Sequence, residues 1–300
     1  MASSSQTVPQ VAGFQSAASD SLFIRAATET DVGGVAALVA DLSDRSQAVM
    51  QSRLEKIVHA PWAGSEVDYG CVLDVGGEIA GFIGWTTATR RLRGQSYKFR
   101  NMTTWFVRET HRKASLTLAR KALSLPNSTF TVLSATPVAM KLWKYFDFQT
   151  FEDGIRIVYP APSLRGKRVS IVADHLADSL PEPLRRVHID HLNSPCCQIC
   201  LECEGEKCLV IGLRKARRPF SHTRILYASN RDFFARHIRG VALALCRHWR
   251  VATLRVESRL VGRVPFSRLR KLKSPLMFRS TSLSADDMDA LYSEVVLMGL

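Results

Sequence analysis

The sequence predicts a mixed α/β fold, in which a twisted mixed sheet is flanked by helices and followed by a second, related α/β half. Three observations predict this fold. Met102–Phe148 follows the order strand, charged turn, helix, strand, helix. A hairpin with Gly76-Gly77 at its turn precedes that unit. A similar order recurs after residue 187, and 300 residues are enough for two such units.

The elements before residue 90 are predicted from apolar spacing and from the residues that separate them. Apolar residues recur every three or four positions in two segments, and Pro61 ends the second of these helices. The prediction gives strands Ser21–Ala27, Tyr69–Val75 and Glu78–Thr86, and helices Val32–Leu42 and Ser46–Ala60. We assign Arg90, Arg91 and Arg93 to a solvated loop that follows the hairpin.

The central unit is expected to bind an anion. Thr103–Val107 is an unbroken β-branched and aromatic run, typical of a strand buried on both faces. After the charged turn Arg108–Lys113, the helix Ser115–Leu123 begins, and Phe130–Leu133 is the next strand. A helix start directs free N–H groups and a positive dipole end back toward the preceding strand. The backbone donors of Lys113–Thr117, with two cations beside them, therefore predict a phosphate site.

At this point the sequence resembles a known family. The segment WFVRETHRKASLTL looks like the acyl-CoA-binding motif of the GCN5-related N-acetyltransferases, an Arg/Gln-x-x-Gly-x-Gly/Ala turn. Arg112 takes the first position of that motif, and Ser115 and Thr117 take its small-residue positions. AMKLWKYFDFQTF is similar to the closing helix and strand of the family. The resemblance covers roughly half of the chain, Phe23–Tyr159, and implies an acetyltransferase-like sheet.

The resemblance also implies a co-substrate, a reaction and a set of binding residues. The implied co-substrate is acetyl-CoA or another acyl-CoA, with no metal, and the implied reaction is acyl transfer to an amine-type acceptor that the sequence does not identify. One strand would pair with the pantetheine arm, and the turn would hold the pyrophosphate. The expected cofactor-binding residues are Trp105, Phe106, Val107, Arg112, Lys113, Ala114, Ser115, Leu116 and Thr117.

No catalytic residue is assigned from the sequence. Trp143 stands where many members of the family carry a catalytic tyrosine, and an indole cannot donate a useful proton. Tyr145 lies two residues further and would point elsewhere on a helix. Ser134 and Thr136 are polar and near the expected cleft. The alternative function is therefore a non-catalytic acyl-CoA-binding or interaction protein on the same fold.

The domain prediction divides the chain into a disordered tail (1–20), an acetyltransferase-like domain (21–160), a linker (161–187) and a degenerate second half (188–300). The second half has no recognisable phosphate turn, so its expected role is structural. A short helix is predicted at Ile171–Leu180 in the linker. In the second half we predict helices Arg231–Trp249 and Asp286–Leu291, and strands Ile199–Glu204, Lys207–Arg214, Arg224–Ala228, Val251–Glu257, Met277–Ser280 and Glu294–Met298.

The chain is basic, with a net charge of +14, of which residues 161–300 contribute +11. The clusters Arg214–Arg218 and Arg268–Lys273 raise nucleic-acid binding as an alternative. No helix-turn-helix, zinc-finger or aromatic-basic RNA motif accompanies them. Nucleic acid is therefore an unlikely partner, and a solvated basic face is the default interpretation.

The seven cysteines are expected to be reduced, buried thiols. Cys200 and Cys203 lie in a predicted strand, where residues three apart face opposite sides, so a zinc site is not favoured. His188, Asp190 and His191 are expected to serve capping or packing. No apolar run reaches transmembrane length, and we predict a cytoplasmic location. The sequence does not indicate an oligomeric state.

Overall fold

A single mixed sheet of 12 strands organises the computed structural model, which describes residues 21–64, 66–162, 168–172, 176–216 and 220–300. The predicted tail at residues 1–20 lies outside the described residues. The strands are β1 (Leu22–Ala26), β2 (Gly70–Val75), β3 (Glu78–Leu92), β4 (Gln95–Val107), β5 (Ser128–Val132), β6 (Gln149–Val158), β7 (Ser170–Val172), β8 (Cys197–Cys203), β9 (Glu206–Lys215), β10 (His222–Ala228), β11 (Thr253–Glu257) and β12 (Ser267–Arg279).

Ten α-helices are present in the described part of the chain. They are α1 (Val32–Asp41), α2 (Gln47–Val58), α3 (Ser115–Leu123), α4 (Pro137–Tyr145), α5 (Leu176–Ser179), α6 (Leu184–Asp190), α7 (Arg231–Arg236), α8 (Ile238–Trp249), α9 (Ser258–Val261) and α10 (Glu294–Met298). None of the described helices is long and apolar enough to cross a membrane. The mixed α/β class predicted from the sequence is confirmed.

The order of the strands joins the two halves of the chain. The sheet runs β1-β2-β3-β4-β5-β12-β6-β11-β10-β9-β8-β7. The late strand β12 lies between β5 and β6 and pairs with both in antiparallel orientation. On its other side β6 pairs with β11. The first and second halves therefore share one hydrogen-bonded sheet.

Helices pack on both faces of the first half. Val72 and Phe82 belong to the apolar cluster that contains α1 and α2. Their neighbours Leu73 and Ile83 belong to the cluster that contains α3 and α4. Because successive side chains of a strand point to opposite faces, the two pairs of helices cover opposite sides of β2 and β3. This sandwich explains why the central strands are apolar on both faces.

The same irregularity occurs in both halves of the sheet. In the first half, the pairing of β3 with β4 shifts register next to Gly84, and the parallel pairing of β4 with β5 ends at Met102 and Val132. In the second half, the pairing of β9 with β10 shifts between Ile225 and Tyr227. There the parallel pairing of β10 with β11 ends at Arg224. Each half thus places a bulge beside the point where two parallel strands stop pairing.

A segment after β12, residues 280–293, crosses back over the first half and is called the strap below. Arg90 donates two hydrogen bonds, of 3.0 and 2.6 Å, to the Asp289 carboxylate, and both side chains are buried. Thr86 Oγ1 donates to the Tyr292 carbonyl at 2.9 Å. The loop prediction for Arg90 and Arg91 was wrong, because β3 extends to Leu92 and the Arg90 side chain has a buried partner.

Four further element predictions were wrong. Glu294–Met298 is a helix, whose apolar residues are buried and which ends at Gly299 in the left-handed region. The segment Arg231–Trp249 forms two helices that meet at His237. Only a 3₁₀ turn, Ala285–Asp287, forms in the segment Asp286–Leu291, which was predicted to be a helix.

The fourth wrong prediction is a single helix over Ile171–Leu180. The described part of this segment includes the end of β7 and all of α5, and residues 173–175 lie outside the described residues. Short apolar runs with β-branched residues do not distinguish strand from buried helix.

Replacing Arg90 by leucine is expected to lower the free energy of unfolding by about 3 to 5 kcal/mol, because it leaves the Asp289 carboxylate buried without its cation. Arg93→Leu is the matched control. Arg93 pairs with Asp287 from a largely exposed position, so its loss should cost less than about 1 kcal/mol. Urea unfolding followed by circular dichroism measures both. Equal losses would mean that the Arg90 pair does not hold the strap.

Candidate functional site

The two strands β4 and β5 part from each other next to the centre of the sheet. Their last paired residues are Met102 and Val132, whereas β4 continues to Val107 and stays paired with β3 up to the pair of Val107 with Gly81. Within the described residues, the β5 side of Thr103–Val107 has no strand partner. The backbone groups on that side are available to an extended ligand.

A cavity of about 1270 Å³ opens between the parted strands. Six of the residues predicted to bind the cofactor line it, namely Trp105, Phe106, Val107, Arg112, Ser115 and Leu116. The other three, Lys113, Ala114 and Thr117, belong to the same turn and helix start but are not part of the lining. The cavity is also lined by the loop before α2, by α2 itself and by α10.

The basic turn has a helical backbone. Glu109–Ala114 forms a 3₁₀ helix that continues directly into α3. At the C-terminal end of this 3₁₀ helix, the Ser115 N–H donates a hydrogen bond to the Arg112 carbonyl. The Ser115 N–H, one of the donors expected to bind phosphate, therefore already has a partner. The Arg112 side chain is exposed and forms no ion pair with another described residue. Arg112 is therefore an available cation in the lining of the cavity.

Two polar atoms in the β4 wall of the cavity are buried without a partner among the described residues. They are Thr103 Oγ1 and Trp105 Nε1. Unpaired buried polar atoms are uncommon in folded proteins, and a bound water or ligand is one way to complete their hydrogen bonds. The wall along β4 thus combines a free strand edge with two unpaired side-chain groups.

The residue that the sequence reasoning missed is Glu294, the first residue of α10. Its side chain is 4% exposed and lines the cavity where β4 and β5 part. Ser134 Oγ donates a hydrogen bond of 2.6 Å to Glu294 Oε1. The second oxygen, Oε2, is buried without a partner among the described residues. Glu294 therefore presents one unoccupied acceptor to the cavity.

The backbone around Glu294 is fixed by a buried amide. Asn101 Oδ1 accepts a hydrogen bond of 3.2 Å from the Glu294 N–H. Asn101 Nδ2 donates to the Thr131 carbonyl at 3.3 Å and to Thr131 Oγ1 at 3.1 Å. One side chain thus connects β4, β5 and α10 at the point of divergence.

Burial raises the pKa of the Glu294 carboxyl to about 7. The hydrogen bond from Ser134 and the charges of Arg224 and Arg53 oppose this shift. A carboxyl with such a pKa changes its charge near neutral pH and accepts protons more strongly than an ordinary glutamate. The signal that could have found it is a lone acid directly before the apolar run Val295–Met298.

The aromatic residues near the site do not supply an acid. Trp143 is buried, and its ring lies 5.1 Å from the ring of Trp105 and 5.0 Å from that of Phe148. Tyr145 is 61% exposed, and its hydroxyl accepts a hydrogen bond from Arg120 on the outer surface. Tyr145 does not line the cavity, whereas Ser134 and Thr136 do.

The other candidate clusters have structural contacts. Burial raises the pKa of the Cys197, Cys208 and Cys246 thiols to about 11, and all seven cysteines are free. Asp190 accepts hydrogen bonds from Arg186 and from the Tyr292 hydroxyl. In the basic segment 268–273 of β12, five of the six residues are exposed. Arg217 and Arg218 of the other basic cluster lie outside the described residues.

Three solved structures have this fold over most of the chain. A probable N-acyltransferase from Enterococcus faecalis matches at 10% identity with a TM-score of 0.55, over 88% of this chain and 74% of its own. A GCN5-related N-acetyltransferase from Anabaena variabilis matches at 9% identity with a TM-score of 0.53, over 86% and 72%. One from Kribbella flavida matches at 12% identity with a TM-score of 0.51, over 88% and 72%.

The chain thus has the fold of the GCN5-related N-acetyltransferases. No family model and no curated protein matches the sequence. The resemblance inferred from the central unit is confirmed at the level of the fold, and the structural similarity extends beyond Phe23–Tyr159 into the second half. Identities of 9 to 12% establish the architecture alone.

The raised pKa of Glu294 predicts a pH-dependent stability difference. Between its ordinary value of 4.5 and about 7, the folded protein holds a proton that the unfolded chain has lost. The free energy of unfolding should therefore fall as the pH rises through this window, by about 3 kcal/mol in total, and Glu294→Gln should remove that fall. Urea unfolding at pH 5 and pH 8 measures it. Glu55→Gln, at an exposed position on α2, should behave like the wild type; the hypothesis fails if Glu294→Gln does so too.

Proposed function

We propose that the protein transfers an acyl group, most simply acetyl, from acyl-CoA to an amine acceptor. The observation that carries the proposal is the placement of Glu294, a buried carboxyl with one unpaired oxygen, where β4 parts from β5. A base at the end of an open strand edge suits a reaction between an extended thioester and a protonated amine. The GCN5-related N-acetyltransferase fold supports the same chemistry.

In this proposal the acyl-CoA lies along β4. The pantetheine arm contains two amides, whose N–H and C=O groups match the free edge at Trp105, Phe106 and Val107. Thr103 Oγ1 and Trp105 Nε1 supply further hydrogen bonds. The diphosphate meets the turn before α3, where Arg112 provides charge.

The chemistry then follows from the position of the base. Glu294 Oε2 accepts a proton from the ammonium group of the acceptor, which frees the nitrogen lone pair. The nitrogen attacks the thioester carbonyl carbon; the C–N bond forms and the C–S bond breaks. The second proton leaves the nitrogen and neutralises the departing thiolate, so the products are an amide, coenzyme A as the free thiol and a proton on Glu294. This route does not require an acid at Trp143.

We also infer that the chain contains two related halves. In both halves a bulge lies beside the point where a parallel pairing stops. That point is Met102 in the first half and Arg224 in the second. The second half would serve chiefly to deliver the strap and Glu294 to the first. The boundaries 21–160, 161–187 and 188–300, and the cytoplasmic location, stay predictions.

A second candidate, an acyl-CoA-binding protein without catalysis, is favoured by one observation. Trp143 occupies the position where the family commonly has a tyrosine, and its buried indole faces other aromatic rings. Binding of acetyl-CoA without thiol release in the presence of an amine panel would support this candidate. Thiol release that depends on both substrates would support the transferase.

Arg112→Glu is expected to weaken acetyl-CoA binding several-fold, because it reverses a charge next to the phosphates. Isothermal titration calorimetry measures the affinity. Arg120→Glu is the control, since Arg120 is exposed on the same helix and is not part of the cavity lining. If both variants bind acetyl-CoA as tightly as the wild type, the diphosphate does not lie at this turn.

Glu294→Gln is expected to lower kcat/KM for the amine by about 10² to 10⁴-fold, because the amide cannot accept the proton. In the wild type, the rate should rise through an apparent pKa near 7, since only the ionised carboxylate acts as a base. Thiol release measured from pH 5.5 to 9 tests both statements. The affinity for acetyl-CoA should change little. Retention of the wild-type pH profile in Glu294→Gln would exclude this role.

A further inference from the structure

The cavity wall around Glu294 and α2 differs in character from the wall along β4, and we call it the acceptor end. It is lined by Arg45, by Arg53 on α2 and by Glu294. Apolar side chains form the rest of its wall, from Met50, Leu54, Ile57 and Met298. The acceptor end thus combines two guanidinium groups and one carboxyl with an apolar surface.

The two arginines of the acceptor end have no counter-ion among the described residues. Neither Arg45 nor Arg53 forms an ion pair, although Asp44 lines the same cavity. The polar contact of Arg45 is with Met50 Sδ, at 3.9 Å. Burial and the nearby charge of Arg45 both lower the pKa of Arg53, and Glu294 alone opposes them. Arg45 is exposed and Arg53 is half-buried, and since neither forms an ion pair with another described residue, a carboxylate brought by a ligand would form charge-assisted hydrogen bonds with them.

The geometry points to an acceptor that carries a carboxylate as well as its amine: an amino acid or another aminocarboxylate with an apolar body. This inference rests on the proposed acyl transfer. The amine would lie at Glu294 Oε2, the carboxylate would bind the guanidinium of Arg53, and Arg45 would add charge. The carbon skeleton would contact Met50 and Leu54. A planar guanidinium holds a carboxylate with two parallel hydrogen bonds, which also orients the amine.

The same cations could instead serve the phosphates of coenzyme A, and the experiment distinguishes these two sources of anion. Acetyl-CoA-dependent thiol release is measured with two matched pairs of acceptors, leucine against 3-methylbutylamine and 6-aminohexanoate against pentylamine. Each pair differs by the carboxylate alone. The wild type should show the higher kcat/KM with at least one aminocarboxylate.

At a pH where Glu294 is ionised in both proteins, Arg53→Met should raise KM for the preferred aminocarboxylate by about tenfold or more relative to its matched plain amine and leave KM for acetyl-CoA nearly unchanged. Arg53→Lys should recover part of the loss. Lys56→Met is the matched control, because Lys56 is exposed on the same helix and is not part of the cavity lining. It removes one positive charge from α2 and should change none of the constants.

Several outcomes would overturn the inference. If the wild type has equal kcat/KM for the two members of each acceptor pair, the protein does not recognise the carboxylate. A rise in KM for acetyl-CoA in Arg53→Met would assign Arg53 to the cofactor phosphates. Both results leave the proposed transferase intact. If no amine of any kind releases thiol from acetyl-CoA, the proposed function fails and this inference fails with it.

Discussion

The parting of β4 and β5 is the constraint on which the rest of the site depends, and the side chain of Asn101 maintains it. All of β5 pairs with β4, but β4 continues to Val107 without a partner on that side, although unpaired backbone groups are unfavourable when buried. Here a single amide joins Thr131 on β5 to the Glu294 N–H on α10. The start of α10 is therefore held beside the last paired residues of β4 and β5, and Glu294 lines the cavity there.

The position of Glu294 depends in turn on contacts between distant parts of the chain. The strap that leads to it is held to β3 by the buried Arg90–Asp289 pair and by the hydrogen bond from Thr86. A charge pair in a low-dielectric interior fixes geometry more strictly than apolar packing, because each charge tolerates few other partners. The second half thus contributes to the site by placing the Glu294 carboxyl in it.

The sequence was sufficient for the local parts of this arrangement. The strand, basic turn and helix around Arg112 follow from apolar spacing over a few residues, and they lie as predicted. Arg90 and Glu294 could not be assigned, because their roles depend on partners about 200 and 160 positions away. The local pattern around Arg90, an arginine near a turn, indicates a loop. The local pattern around Glu294, a glutamate next to a short apolar run, indicates a strand. Tertiary contacts override both local preferences.

The insertion of β12 has a consequence for the biosynthesis of the molecule. Since β5 and β6 do not pair with each other but only through β12, each keeps an open edge until residues 267–279 have been made. More than a hundred residues follow β6 before that strand arrives. During translation the growing chain therefore exposes two unsatisfied strand edges, which are the features that promote pairing with a neighbouring chain. We expect the first half to need the second for completion, and a chaperone to be most useful during that interval.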